Sequence, residues 1–186
     1  STSVGYKAAY SATVTVSAAI GYQALYSNTT GINNVAIGAN TMYSNTIGVD
    51  NVAVGPGTLN LNTTGSYNTA VGSGVGGSLY PTMYFNTIGT YNTAVGTAVL
   101  VNNTTGSNNT AVGAKALINN TTGTRNTAVG VEAGQANIGN DNVAIGYRSL
   151  YASIASNNVA IGKEALFTNS TGANNTDRKS TRLNSS

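Results

Sequence analysis

Five side chains are the chain's whole stock of carboxylates: Asp50, Glu132, Asp141, Glu164 and Asp177. General acid–base work needs two of them, or one and a histidine, within a few ångströms of the same atom, and the sequence contains no histidine and no cysteine. Asp50 and Asp141 occupy the same place in the repeat described below but lie five repeats apart, about 24 Å if repeats stack like strands. Glu132 and Glu164 are two repeats apart and interleaved with basic residues. Neither pair suits a glycosidase-type dyad. Zinc, haem and iron–sulfur ligation of the usual kinds also lack their ligands. The reading is therefore non-catalytic, with no metal and no cofactor expected.

Gly72-Ser-Gly-Val-Gly-Gly77 has the look of a dinucleotide-binding loop. No helix pattern follows it, however, and no acidic residue comes about 20 positions on, as that fingerprint requires. The formal charge of +3 depends on the last ten residues, and residues 1–176 hold five basic and four acidic side chains without a basic cluster. Nothing there would neutralise a row of phosphates, so no nucleic-acid partner is expected. No apolar run approaches the length of about 20 residues that a membrane helix needs, and no leader precedes Ser1, so this segment is not expected to insert in a membrane.

These sparse charges sit on a repeat. The pattern Asn-[Thr/Val]-Ala-[Val/Ile]-Gly ends at Gly38, Gly55, Gly72, Gly96, Gly113, Gly130, Gly146 and Gly162, with weaker forms ending at Gly5 and Gly21. The spacing is 16 or 17 residues, except for one interval of 24. A second glycine precedes the first by seven, from Gly31 to Gly139. So short a period cannot hold a helical hairpin, and alternation within the motif has the period of two that marks a strand. Each repeat reads as turn, short strand, turn, short strand. The expected fold is all-β, a parallel β-solenoid of about ten 16–17-residue coils.

Stacking would align Ile37, Val54, Val71, Val95, Val112, Val129, Ile145 and Ile161 in an aliphatic ladder with steps of about 4.8 Å. The neighbouring alanines, Ala36 to Ala160, stay small because something packs closely on their side. Leu25, Met42, Leu59, Leu100, Leu117, Leu150 and Leu166, four residues after each glycine, form a second apolar ladder. Asn34, Asn51, Asn68, Asn92, Asn109, Asn126, Asn142 and Asn158 open the motif and are expected to form a stacked amide ladder. Asn28, Asn62, Asn103 and Asn120 begin Asn-Thr-Thr-Gly turns, where Asn and Gly tolerate left-handed backbone. These turns also match the acceptor pattern for Asn glycosylation. Lys115, Glu132, Arg148 and Glu164 alternate in sign two residues after the glycine, as a charge ladder would. Tyr10, Tyr26, Tyr43, Tyr151 and Phe167, five after it, read as stacked aromatics or as a sugar-binding stripe.

The motif followed by x-x-Ala-Leu, in Gly21-Tyr-Gln-Ala-Leu25, Gly113-Ala-Lys-Ala-Leu117 and Gly162-Lys-Glu-Ala-Leu166, resembles the head repeats of trimeric autotransporter adhesins of the YadA-like type. The resemblance covers nearly all of residues 1–176, and similar repeats occur in phage and virus tail fibres. It implies a left-handed β-roll, a homotrimer, an extracellular, cell-surface or virion location, and attachment to a host-surface protein or glycan. Family repeats are two or three residues shorter, so larger outer turns are expected here. A purely structural fibre rod without ligand contact is the competing reading. Ice binding by a flat Thr array fits poorly, because Ile47, Ile88 and Ile138 interrupt the array.

Two segments depart from the pattern. The long interval holds an insertion of about seven residues, and Tyr80, Met83, Tyr84 and Phe85, in the apolar loop it makes, are the candidate ligand contacts, expected to project from the rod. On this reading, replacing Tyr84 and Phe85 with Ser abolishes adhesion in a cell-binding assay without unfolding the chain; undiminished adhesion would rule the segment out. After Thr176 the repeat breaks into Asp-Arg-Lys-Ser-Thr-Arg-Leu-Asn-Ser-Ser. This string resembles the translation of a sequencing-library adapter of the kind left in metagenomic assemblies. Residues 177–186 are thus expected to be non-native, and the natural chain to extend beyond both ends.

Overall fold

The computed structural model describes residues 1–13, 17–73, 80–136, 139–169 and 171–179. Among them lie eleven strands and no helix: β1 (Thr2–Val4), β2 (Ser17–Ile20), β3 (Asn34–Ile37), β4 (Val52–Val54), β5 (Thr69–Val71), β6 (Thr93–Val95), β7 (Thr110–Val112), β8 (Thr127–Val129), β9 (Val143–Ile145), β10 (Val159–Ile161) and β11 (Thr176–Arg178). They form a single parallel sheet in chain order. Each strand pairs with the same motif one repeat away: Ala36 lies opposite Ala53, Ala53 opposite Ala70, Ala111 opposite Ala128. The protein is a β-solenoid of about ten coils.

The long interval leaves this register untouched, since β5 and β6 pair Thr69 with Thr93 and Val71 with Val95. Past the insertion, Pro81 comes to lie against Gly57. Residues 74–79, which contain most of the glycine-rich segment, lie outside the described residues, as do Ile138 and residues 180–186. Asp177 holds the place opposite Ala160 in β11, and its Oδ2 accepts a hydrogen bond from the Leu166 amide.

The expected second strand of each repeat does not form. After the motif glycines the described chain turns through two left-handed residues, at the second and fourth positions, as at Gln23 and Leu25 (φ 53° and 51°), Asn40 and Met42 (54° and 50°), and Lys115 and Leu117 (59° and 50°). A third left-handed residue precedes the motif Asn, as at Asp50, Tyr67, Arg125 and Asp141. Such angles curl the backbone instead of extending it, and cost a non-glycine residue roughly 1–2 kcal/mol each. Hydrogen bonds between coils offset that cost: Leu25 N donates to Thr41 O, and Ser27 N to Tyr43 O, both at 3.0 Å. The curl also swings the leucine inward.

The interior is correspondingly narrow. Ala36, Ala53, Ala70, Ala94, Ala111, Ala128, Ala144 and Ala160 are fully buried, and facing them are Leu25, Met42, Leu59, Met83, Leu100, Leu117 and Leu150. The Ile and Val of the motif stack one per coil but point outward, Ile37 and Ile161 each being 38% exposed. Alanine, the smaller residue, takes the inside because leucine and two asparagines already fill each cross-section from the other side.

Candidate functional site

The motif asparagines form a continuous amide column, all fully buried from Asn34 to Asn158. Asn51 shows the geometry. Its N and Nδ2 donate to Asn34 Oδ1 in the coil before (3.0 and 3.1 Å), Nδ2 also donates to Gly65 O in the coil after (2.9 Å), and its Oδ1 accepts from the amide of Asn68 (3.0 Å). One side chain thus ties three coils. Asn28, Asn45, Asn62, Asn86, Asn103 and Asn120 make a second column: each Nδ2 donates to a glycine carbonyl three residues on, and from Asn45 onward each also donates to the Oδ1 before it at 2.7–3.1 Å. Reading these residues as turn formers missed that column, although its spacing, 17 or 24, was visible. Because Asn28, Asn62, Asn103 and Asn120 are 0–1% exposed, their amides are inaccessible to glycosylation in the folded coil.

The candidate contacts flanking the insertion divide. Met83 is fully buried with φ 52°, a member of the leucine column and not a contact residue. Counting four from the glycine missed it, because the insertion falls between Gly72 and Pro81 and displaces the column by seven. Tyr84 and Phe85 likewise lie on the regular coil, half-buried, instead of on a projecting loop; Phe85 N donates to Val101 O at 3.0 Å. Tyr80 is 47% exposed and leans on both rings, 6.4 Å from Tyr84 and 5.6 Å from Phe85.

On the corner two residues past the glycine, Glu132 receives Arg148 Nε at 2.6 Å on one side and Lys115 Nζ at 3.9 Å on the other. Glu164 does not join, so the charge ladder spans three coils, not four. On the corner before the motif, Arg125 Nε and Nη2 clasp Asp141 at 2.6 and 2.8 Å, and those hydrogen bonds hold the Asp141 carboxyl below the usual carboxylate range. Asp50 accepts from Asn33 Nδ2 at 3.0 Å. The Thr hydroxyls of Thr29, Thr46, Thr63, Thr87 and Thr104 donate to the next coil's carbonyl at 3.0–3.1 Å, which turns them along the rod and away from solvent. Among the described residues, no three His, Cys, Asp or Glu gather in a metal-binding group.

Two surfaces remain. From β3 to β10 the outer face of the sheet carries Val35, Ile37, Val52, Val54, Thr69, Val71, Thr93, Val95, Thr110, Val112, Thr127, Val129, Val143, Ile145, Val159 and Ile161, every one β-branched and none charged; Ala18 and Arg178 hold the same place in β2 and β11. Around the corner past the glycine, aromatic rings stack coil on coil: Tyr6 on Tyr22, Tyr10 on Tyr26, Tyr26 on Tyr43 and Tyr151 on Phe167, with centroids 4.9–5.6 Å apart. No protein-family model, curated protein or solved structure matches this chain.

Proposed function

We propose that this chain is a non-catalytic segment of an extracellular fibre or adhesin head, which self-associates as a homotrimer through the outer face of its sheet and presents its corners to a host-surface protein or glycan. The observation that carries the reading is the uncharged, β-branched sheet face. Lys, Arg, Glu and Asp ordinarily populate the surfaces that proteins leave to water. Here sixteen consecutive outward positions carry none of these. Valine, isoleucine and threonine are held to few χ1 rotamers, so the face is a rigid methyl array that loses little side-chain entropy when covered. Sixteen residues per chain also approach the 20–30 that a stable interface uses on each side. The choice of three chains, and of a cell or virion surface, follows the resemblance to adhesin head repeats.

Multi-angle light scattering tests the assembly. The full chain is expected to run at three times its 18.7 kDa mass, and the double variant Val112→Lys/Val129→Lys at one chain's mass with its β-sheet circular dichroism intact. A wild-type chain that stays monomeric at tens of micromolar concentration would sink the fibre reading.

A further inference from the structure

The first three coils place a polar row between two columns of tyrosine. Tyr6 and Tyr22 directly follow the motif glycine; Tyr10, Tyr26 and Tyr43 come four residues later; Lys7, Gln23 and Asn40 lie between, all left-handed at φ 53–54°. Tyr6 and Tyr10 are each 63% exposed and Tyr22 50%. The Lys7 ammonium bridges the columns, 5.4 Å from the Tyr6 ring, 5.3 Å from Tyr10 and 5.8 Å from Tyr26. The same Tyr–cation–Tyr arrangement recurs near the other end, where the Arg148 guanidinium is 5.0 Å from Tyr147 and 5.2 Å from Tyr151. There the cation is neutralised by Glu132. Lys7 has no ion-pair partner among the described residues, and no acidic residue precedes Asp50 in the sequence.

We propose that Tyr6, Lys7, Tyr10, Tyr22, Gln23 and Tyr26 bind an acidic polysaccharide, a uronate-bearing chain laid along the rod. The inference rests on the fibre reading and names the ligand class for one of its corners. Its chemistry is complementary at each point. The rings stack on one another, so their edges and hydroxyls face outward, repeating every 4.9–5.6 Å, a step comparable to one sugar unit in an extended polysaccharide. A uronate carboxylate meets an ammonium that rests on tyrosine rings and has no carboxylate partner among the described residues, a charge-assisted contact. The Gln23 amide and the phenol hydroxyls donate to and accept from sugar hydroxyls. Stacking already restrains the tyrosines, so little conformational freedom is lost on binding.

Isothermal titration calorimetry of the full chain with a hyaluronan decasaccharide tests this. Saturable binding is expected, weakened at least tenfold by Lys7→Gln and by Tyr22→Ser, unchanged by Lys163→Gln at the far end, and absent with the neutral glucan cellohexaose. The proposal is overturned by no saturable binding, by equal loss in Lys7→Gln and Lys163→Gln, or by equal affinity for cellohexaose. Light scattering on the same samples separates the two readings: a trimer that ignores hyaluronan loses this site and keeps the fibre, whereas a monomer loses the fibre.

Discussion

Replacing Asn109 with Asp is expected to destabilise the solenoid at pH 7 by about 3–5 kcal/mol, the usual penalty for an unpaired buried charge. Asn109 is fully buried. Its Nδ2 donates to Asn92 Oδ1 at 3.1 Å and to Gly123 O at 2.8 Å, while its Oδ1 accepts the Asn126 amide at 3.0 Å. An ionised aspartate keeps the last bond but turns a second oxygen, without a proton, toward two acceptors. Protonation restores a donor. Burial among acceptors raises the folded-state pKa above the unfolded value of about 3.9. The penalty is therefore absent below that value and grows as pH rises through and above it. Melting curves of Asn109→Asp against wild type at pH 3 and pH 7 should differ little at the first and widely at the second. A gap independent of pH would mean that the column's donors are not what matters.

Gly130→Ala is expected to cost at least about 3 kcal/mol, combining backbone strain with a collision. Gly130 has φ 139°, and a methyl group there would lie 2.6 Å from Gly146 O and 2.7 Å from Gly146 C in the next coil. Both are backbone atoms inside the ladder, where Gly146 N also donates to Val129 O at 2.8 Å. Neither can yield without parting β8 from β9. Val131→Ala, one residue on and 46% exposed in the wild type, should stay within about 0.5 kcal/mol as an ordinary surface change. Thermal denaturation of both variants settles the contrast; a Gly130→Ala protein melting with the wild type would show that the coils can separate slightly at no cost.

Periodicity carried most of the architecture. A motif recurring every 16–17 residues, alternating with a period of two, leads to stacked parallel strands, and such strands formed. Which side faces inward was not legible, because a period of two defines two faces without ranking them. Apolarity alone would put Val112 inside and Ala111 out. The structure does the reverse, because Leu117 and the two asparagine columns leave room only for a methyl. The left-handed corners were also hidden. Propensity assigns φ near 50° to Gly and Asn, and nothing marks Leu117 or Tyr91 for it; only cross-coil hydrogen bonding makes those angles tolerable. At these corners, neighbouring coils pair side chains by kind, Tyr67 on Tyr91 at 4.7 Å and Arg125 with Asp141, a match visible only once the register is known. Of the candidate contacts, Tyr80 is exposed, but Met83 was misplaced by the same insertion that drew attention to it.

The unbroken register between coils bears on how such a chain can change over generations. Because Ala111 meets Ala128 as Ala36 meets Ala53, any two repeats offer each other interchangeable surfaces. An unequal crossover between their coding segments would splice one coil in or out in phase and leave the strand ladder and the buried columns in register. The seven-residue excess before Pro81, absorbed without shifting β5 against β6, indicates that a corner accepts foreign length as well. Rod length and corner decoration can thus be inherited and selected independently of the cross-section that keeps the rod folded.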